Sequence, residues 1–450
     1  MTVAAQRRSS ASKVTFAQVL TVRSFRMLYT AALLSGLGDA VSRLAVAILV
    51  FQRSRSPLLT AVAYALTYVP WLVTAGRLGA LGDRLPARPL LVGCDVSRAF
   101  LGTALVVPGL PVPAILALAF GVGLGEPAFG SARSALLPEL VDRVRYPTAI
   151  ALMSTSSFFV RVVGLGFGGA LVAAVGARNA IAVDVASFVL SALVIGVGLA
   201  GDPSAAANPL TRRRADHPLE ARVPSGLALV SGNPQLRWLV LMASVTACSA
   251  AVAEASAIVV AAQHGGGSRE AGLLAAAIPA GFVLASLATS RFLDARQRLR
   301  ALPAMALLCA AGTIPVLFNP PLAGVAAFYA LAALGAGCQL TANQLFVLAV
   351  PPQHRAKSFA VAQAALLSAQ GIAITLAGAL QSSVRPTTVV GGVAVVITVA
   401  VAALLVIKPD LDSLLSDPVG GPATEVVHDV SVGGSGDDRR HRRRRTFSGR

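Results

Sequence analysis

The chain has 450 residues, of which 55% are hydrophobic and only 13% charged, with a formal net charge of +18. Soluble domains carry about 25% charged residues, so this composition excludes an ordinary soluble globular protein, a disordered chain and a disulfide scaffold. The charge alone would suggest a nucleic-acid surface, and its placement along the chain decides that question.

Residues 1–26 are polar and basic. No cleavable signal peptide is evident after them, so the first apolar stretch is expected to act as an uncleaved anchor. About 20 mostly apolar residues in a helix cross the hydrocarbon core. Twelve such stretches follow, near 27–50, 57–79, 89–108, 112–132, 146–175, 178–200, 236–262, 270–291, 299–318, 321–348, 357–382 and 386–408. They lack the short polar–apolar alternation of a membrane β-barrel. Residues 201–235 form a polar middle loop. Residues 409–450 are rich in Gly, Ser, Pro and Asp and end in an Arg block at 439–445, the composition of a disordered tail.

Thirty of the 38 basic residues fall on one side of this pattern: the N-terminal segment, the middle loop, alternate loops and the tail. Five (Arg53, Arg55, Arg178, Arg269 and Arg385) fall on the other, and Arg43, Arg98 and Arg161 lie inside spans. This split is the positive-inside pattern, and it places both termini and the middle loop in the cytoplasm. The +18 is thus mostly topology. One short basic block without a folded module does not make a nucleic-acid binder.

The two halves repeat. Asp83 and Asp294 are 211 positions apart, Arg143 and Arg355 are 212 apart, and Gly169-Ala170-Leu171 recurs as Gly378-Ala379-Leu380 at an offset of 209. The expected fold is therefore an all-α membrane protein of twelve transmembrane helices in two pseudo-symmetric six-helix bundles, at 27–200 and 236–408. Parallel repeats of this kind build many secondary transporters.

The motif Gly79-x-x-x-Asp83-Arg84-x-x-x-Arg88 between spans 2 and 3 resembles that of the major facilitator superfamily. Ser35-Gly36-Leu37-Gly38-Asp39, Asp95-x-x-Arg98, Leu136-Leu137-Pro138 and Asp184-x-x-Ser187-Phe188 are similar to the drug-efflux branch that includes macrolide-efflux and enterobactin-exporter proteins. The resemblance covers residues 20–408. It implies that Gly79, Asp83, Arg84 and Arg88 form a conformational gate, with Asp83 latching the halves together at the cytoplasmic face. It also implies that spans 1, 4, 7 and 10 line a central cavity. The loop departs from the family pattern at Pro86-Ala87-Arg88-Pro89, and span 4, taken as 112–132, lacks the embedded Arg of many proton-coupled antiporters.

Ionisable groups inside spans cost roughly 2.5–3.5 kcal/mol or more at mid-bilayer and usually face a cavity or a partner. Asp39, Arg43, Glu126, Arg161 and Glu254 are the candidates for a substrate or coupling cavity. Arg43 follows Asp39 by one helical turn, so the two are either cavity groups or a self-neutralising pair. Asp95–Arg98, at i and i+3, reads as a structural pair, and Asp184 as structural too. Gln339 and Asn343, with Gln344, suit either substrate hydrogen bonding or contacts between helices. Trp71 and Trp238 read as packing or interface anchors. The four cysteines read as small buried hydrophobes.

No catalytic constellation, metal-ligand spacing or phosphate loop is present in the sequence, so neither an enzyme, a cofactor nor a metal site is expected. The expectation is a monomeric, multipass transporter of the bacterial inner membrane, working by alternating access on a small amphipathic molecule such as a drug, antibiotic or siderophore-like metabolite. Protons are the candidate coupling ion. A metabolite-uptake permease and a non-transporting membrane sensor or scaffold remain open alternatives.

Overall fold

A computed structural model describes residues 14–74, 85–201, 226–351, 354–412 and 414. The described residues form helices and turns, with no strand. A short capped helix, α1 (Phe16–Leu20), precedes the first span, α2 (Arg23–Ser54). The second span is split into α3 (Pro57–Ala65) and α4 (Val69–Thr74). Then come α5 (Ala87–Val106), α6 (Val112–Leu140), α7 (Tyr146–Val175) and α8 (Ala177–Gly198).

Most of the middle segment expected at 201–235 lies outside the described residues; at its end a short α9 (Gly226–Gly232) leads into α10 (Pro234–Gln263) and α11 (Ser268–Phe292). The ninth span is α12 (Ala295–Ala311) followed by a 3-10 turn, Ile314–Phe318. The tenth is α13 (Leu322–Leu334) with α14 (Gly337–Ala349), and the last two are α15 (Arg355–Leu380) and α16 (Pro386–Val406).

Among the described residues, eleven helices are long and apolar enough to cross a membrane, and the second span is a shorter apolar helix, Pro57–Leu72. A spanning helix suits lipid because each backbone N–H and C=O is satisfied within its own segment. The outer surface agrees: Phe100, Val197, Phe292, Val399 and Val406 all stand exposed. In water such an apolar exterior would drive aggregation, whereas in lipid it carries no penalty.

Three spans differ from their sequence-based limits for physical reasons. The break in the second span falls just ahead of Pro70, which has no N–H for the carbonyl of Leu66 and whose ring crowds it. The chain there tightens to i→i+3 bonds, from Thr67 to Tyr64 and from Tyr68 to Ala65. The tenth span breaks at Gly335 and Ala336, where a Cβ on Gly335 would lie 2.5 Å from the Met305 carbonyl oxygen of α12. The fourth span runs on to Leu140, eight residues beyond the apolar stretch. Arg133, one residue past that stretch, is therefore part of α6.

The packing repeats between halves. α2 packs on α7 and α8, and α5 on α8; in the second half α10 packs on α15 and α16, and α12 on α16. These are corresponding pairs six spans apart. Between halves, α7 packs against α11, and α3 against α15. Those two seams also correspond under the repeat.

We call the end of the bundle that carries Arg143, Arg145, Arg296, Arg298, Arg300 and Arg355 the basic end, and the other the far end. Small residues close the far end. A Cβ on Gly169 of α7 would meet the Ser268 carbonyl oxygen at 2.6 Å and the Gly272 Cα of α11 at 2.7 Å. Gly378 of α15 sits on Ala61 and Pro57 of α3 in the matching place. Without a hydrophobic force between helices in lipid, such backbone approach supplies the van der Waals contact that holds them. The α7–α11 seam continues to mid-depth, where Phe158 and Phe282 stack with centroids 4.7 Å apart.

Candidate functional site

A cavity of about 310 Å³ extends from mid-depth toward the basic end. Its walls come from α2, α4, α5, α6 and α7. Asp39, Arg43 and Arg161 stand at its deep end, while Tyr29, Arg133 and Met153 lie nearer the basic end. Glu126 sits between, and Trp71, Phe129 and Phe158 supply aromatic surface. A second cavity of about 60 Å³ lies on the far side of the same charges. Asp39, Arg43, Arg98 and Glu126 border both.

The charges pair between helices. Arg98 of α5 donates from Nη2 to Asp39 Oδ1 of α2, and from Nη1 to Ser35 Oγ at 3.3 Å. Its guanidinium also lies over the Phe188 ring of α8, 4.2 Å from the centroid, a cation–π contact. The Arg98 stem crosses α6 at Gly125, where a Cβ would sit 2.6 Å from Cδ. Arg43 Nη2 lies 3.9 Å from Glu126 Oε2, a loose pair on the cavity wall.

Asp39 and Arg43 therefore do not pair with each other, although they share a helix face. Arg98 lies between α2, α6 and α8 and takes Asp39. The i,i+3 pairing of Asp95 with Arg98 is not observed either. Asp95 Oδ2 instead accepts from Ser191 Oγ of α8 at 2.5 Å. Asp184 of α8 accepts from Ser187 Oγ and presses on the backbone of Gly38.

Another ion pair spans the two halves. Arg161 Nη2 of α7 donates to both Glu254 oxygens of α10, at 2.8 and 3.0 Å. Tyr64 of α3 donates its hydroxyl to Glu254 Oε1 at 2.5 Å. Two helices of the first half thus grip one carboxylate of the second, at the floor of the cavity.

Of the residues singled out in the sequence, Asp39, Arg43, Glu126 and Arg161 come together on the cavity, with Glu254 behind Arg161. Gln339 is half-buried and Asn343 exposed on α14, and neither lines the cavity. Arg88 donates to the Gly196 carbonyl at 2.6 Å, tying α5 to α8 within one half. Gly79, Asp83 and Arg84 lie outside the described residues. Asp294, the counterpart of Asp83, caps α12 by accepting from Gln297 N at 2.8 Å.

Sequence reasoning missed Tyr64 and Arg133, and it gave Trp71 no place in the cavity. Trp71 lines the cavity instead of anchoring an interface, and Trp238 is buried with Nε1 on the Leu404 carbonyl. Arg133 follows Glu126 by seven residues, two helical turns on one face. It lies nearer the basic end, just beyond the apolar stretch 112–132, which itself carries no Arg. The four cysteines are free and buried, as expected.

Apolar spanning helices with repeated packing around a charged mid-depth cavity define a helical membrane protein of the major facilitator type. The chain belongs to the family described as transmembrane secretion effector, which matches residues 14–430.

Two relatives match over part of their length. The multidrug efflux pump Tap of Mycolicibacterium fortuitum is 31% identical over 230 residues, 47% of this chain and 53% of that protein. The uncharacterized MFS-type transporter YkuC of Bacillus subtilis (strain 168) is 27% identical over 176 residues, 38% of this chain and 41% of that protein. The chain thus spans about half or less of the length of these relatives.

Solved structures share the fold. A bacterial homologue of the human lysosomal transporter Spinster, in an inward-facing and unoccupied conformation, has a TM-score of 0.62 at 16% identity, covering 89% of this chain and 99% of that one. A peptide transporter POT in complex with sulfate has a TM-score of 0.68 at 12% identity, covering 92% and 99%.

Proposed function

We propose that the protein is a secondary active exporter of a small amphipathic molecule, such as a drug, antibiotic or siderophore-like metabolite, working by alternating access in the bacterial inner membrane. The observation that carries this reading is the cavity. At about 310 Å³ it falls within the roughly 300–1,000 Å³ range of small-molecule sites. It sets three aromatic rings beside paired charges at mid-depth, where an amphipathic molecule finds both apolar and polar partners. The similarity to a protein named as a multidrug efflux pump supports the same reading.

The excess of basic residues orients the basic end, both termini and the middle loop toward the cytoplasm. In that orientation the cavity faces the cytoplasm and the far end is closed, the state that loads an exporter. Residues 27–200 and 236–408 then rock against each other about the α7–α11 and α3–α15 seams, joined by 201–235. Opening outward separates Arg161 and Tyr64 from Glu254, while Asp83 latches the cytoplasmic face. Protons are the coupling ion, and the protein acts as a monomer.

A deletion strain and its complemented parent, screened against a panel of amphipathic compounds, test the reading. Greater sensitivity of the deletion to at least one compound is expected. Inside-out vesicles should then accumulate that compound only with a proton gradient imposed. Equal sensitivity to every compound would remove the efflux reading, and movement in the opposite direction would favour an uptake permease. Truncation at residue 410 should leave transport intact; a complete lack of transport by every form would favour the scaffold.

A further inference from the structure

Arg98 lines one small cavity with Asp39 and Asp184, stands one helical turn from Asp95 on α5, and is already paired with Asp39. Asp95 is 0% exposed and Asp184 2%. The other groups facing them are few. α2 presents Asp39 and Ser42, with Arg43 paired to Glu126 of α6. α5 presents Arg98 and the buried Cys94, and α8 presents Ser187 and Ser191. Three carboxyls thus share one cation inside the first half. Asp95 Oδ1 and Arg98 Nε have no hydrogen-bond partner at all.

An ionised carboxylate without a partner costs several kcal/mol or more in a low-dielectric interior, and such a group neutralises by taking up a proton. Asp39 and Arg98 cancel. With all three carboxyls ionised, the site would hold two uncompensated negative charges against serine hydroxyls alone. The route to it is built in. The cavity of about 60 Å³ touches Asp39, Arg98, Glu126 and Asp184, and is large and polar enough for water. Asp39 and Arg98 also border the larger cavity.

We propose that Asp95 and Asp184, gathered with Asp39 around Arg98, form a proton-binding site that holds at least one proton at neutral pH and exchanges it with the substrate cavity through Asp39. Uptake turns a carboxylate into a neutral carboxylic acid. Release returns the proton to water in the adjoining cavity, and the new negative charge is met by Arg98 once Asp39 turns away. A molecule that draws Asp39 or Arg98 into the larger cavity would therefore change the occupancy of the site. The part the site plays in transport rests on the exporter reading; its protonation does not.

Infrared difference spectroscopy of the full-length protein in lipid nanodiscs, titrated from acidic to alkaline pH, follows the C=O stretch of protonated carboxyls. The wild type should retain that band at neutral pH. Asp184→Asn and Asp95→Asn should each diminish it, and at least one should abolish it. Asp39→Asn should shift the loss of the remaining band to lower pH, because Arg98 then serves two carboxyls instead of three. Absence of the band in the wild type at neutral pH overturns the proposal, and that measurement needs no variant to fold. A band unchanged in both Asp95→Asn and Asp184→Asn, folded as shown by wild-type thermal unfolding, overturns it as well. The expected bands in a protein that exports no compound would sink the exporter reading and leave the site standing.

Discussion

Replacing Glu254 by Gln removes one charge from the grip between halves while keeping its shape. Glu254 is 5% exposed and Arg161 39%. Breaking a fully buried ion pair costs about 3–5 kcal/mol. Arg161 can regain water from the cavity, which discounts the cost toward surface values and leaves roughly 1–3 kcal/mol. Gln keeps one acceptor for Tyr64 or Arg161, which argues against the upper limit. The contact joins α7 and α3 to α10, so its loss falls on the state closed at the far end. The equilibrium should move toward the opposite state by roughly 5- to 150-fold.

A cysteine at Ala276, on the α7–α11 seam 3.6 Å from a Cβ built on Gly166, reports that opening. The four native cysteines are free and buried and contribute little background. Alkylation of Ala276→Cys by a membrane-impermeant maleimide added outside should be at least five times faster with Glu254→Gln. An unchanged or slower rate would refute the idea that this ion pair holds the far end closed.

Three other substitutions probe separate parts of the molecule. Gly169→Val places side-chain carbons where the Ser268 and Gly272 backbone now lies, so it should accelerate alkylation of the same cysteine and abolish transport at normal protein levels. Gly38→Ala drives a methyl into the Asp184 and Ser187 side chains; overpacking of this kind costs about 1–3 kcal/mol and should appear as a lower thermal unfolding temperature of the purified protein. Asp83→Asn should impair export without lowering protein levels in the membrane, and wild-type export by that variant would remove the latch from the mechanism.

Much of this molecule is legible from the amino-acid sequence because lipid imposes a simple rule. A segment that spans without the alternation of a barrel strand must be helical and apolar for about 20 residues, so the spans and the fold class follow from hydropathy. Among the described residues the helices follow the apolar stretches to within a few positions, except at Pro70, at Gly335 and beyond residue 132 of α6; the end of span 2 at 79 lies outside the described residues. The cost of burying charge marked out Asp39, Arg43, Glu126, Arg161 and Glu254, and all five lie on the cavity or against it. Arg133 escaped notice because hydropathy ends the span before the helix ends. Tyr64 escaped because a tyrosine in an apolar stretch carries no signal of the carboxylate it will meet.

The sequence by itself determined that the protein is a multispan helical membrane protein and which ionisable groups are buried in it. Only the tertiary structure decided how those groups pair. Asp39 finds Arg98 across 59 positions, Glu254 finds Arg161 across 93, and Tyr64 finds Glu254 across 190. Spacing along one helix suggested Asp39–Arg43 and Asp95–Arg98, and both yielded to partners on other helices. The reason is geometric: side chains one turn apart on a helix run side by side, whereas those of two helices in contact point toward each other. Glycines such as Gly38 and Gly125, which let Asp184 and Arg98 lie against neighbouring backbones, settle which partner wins.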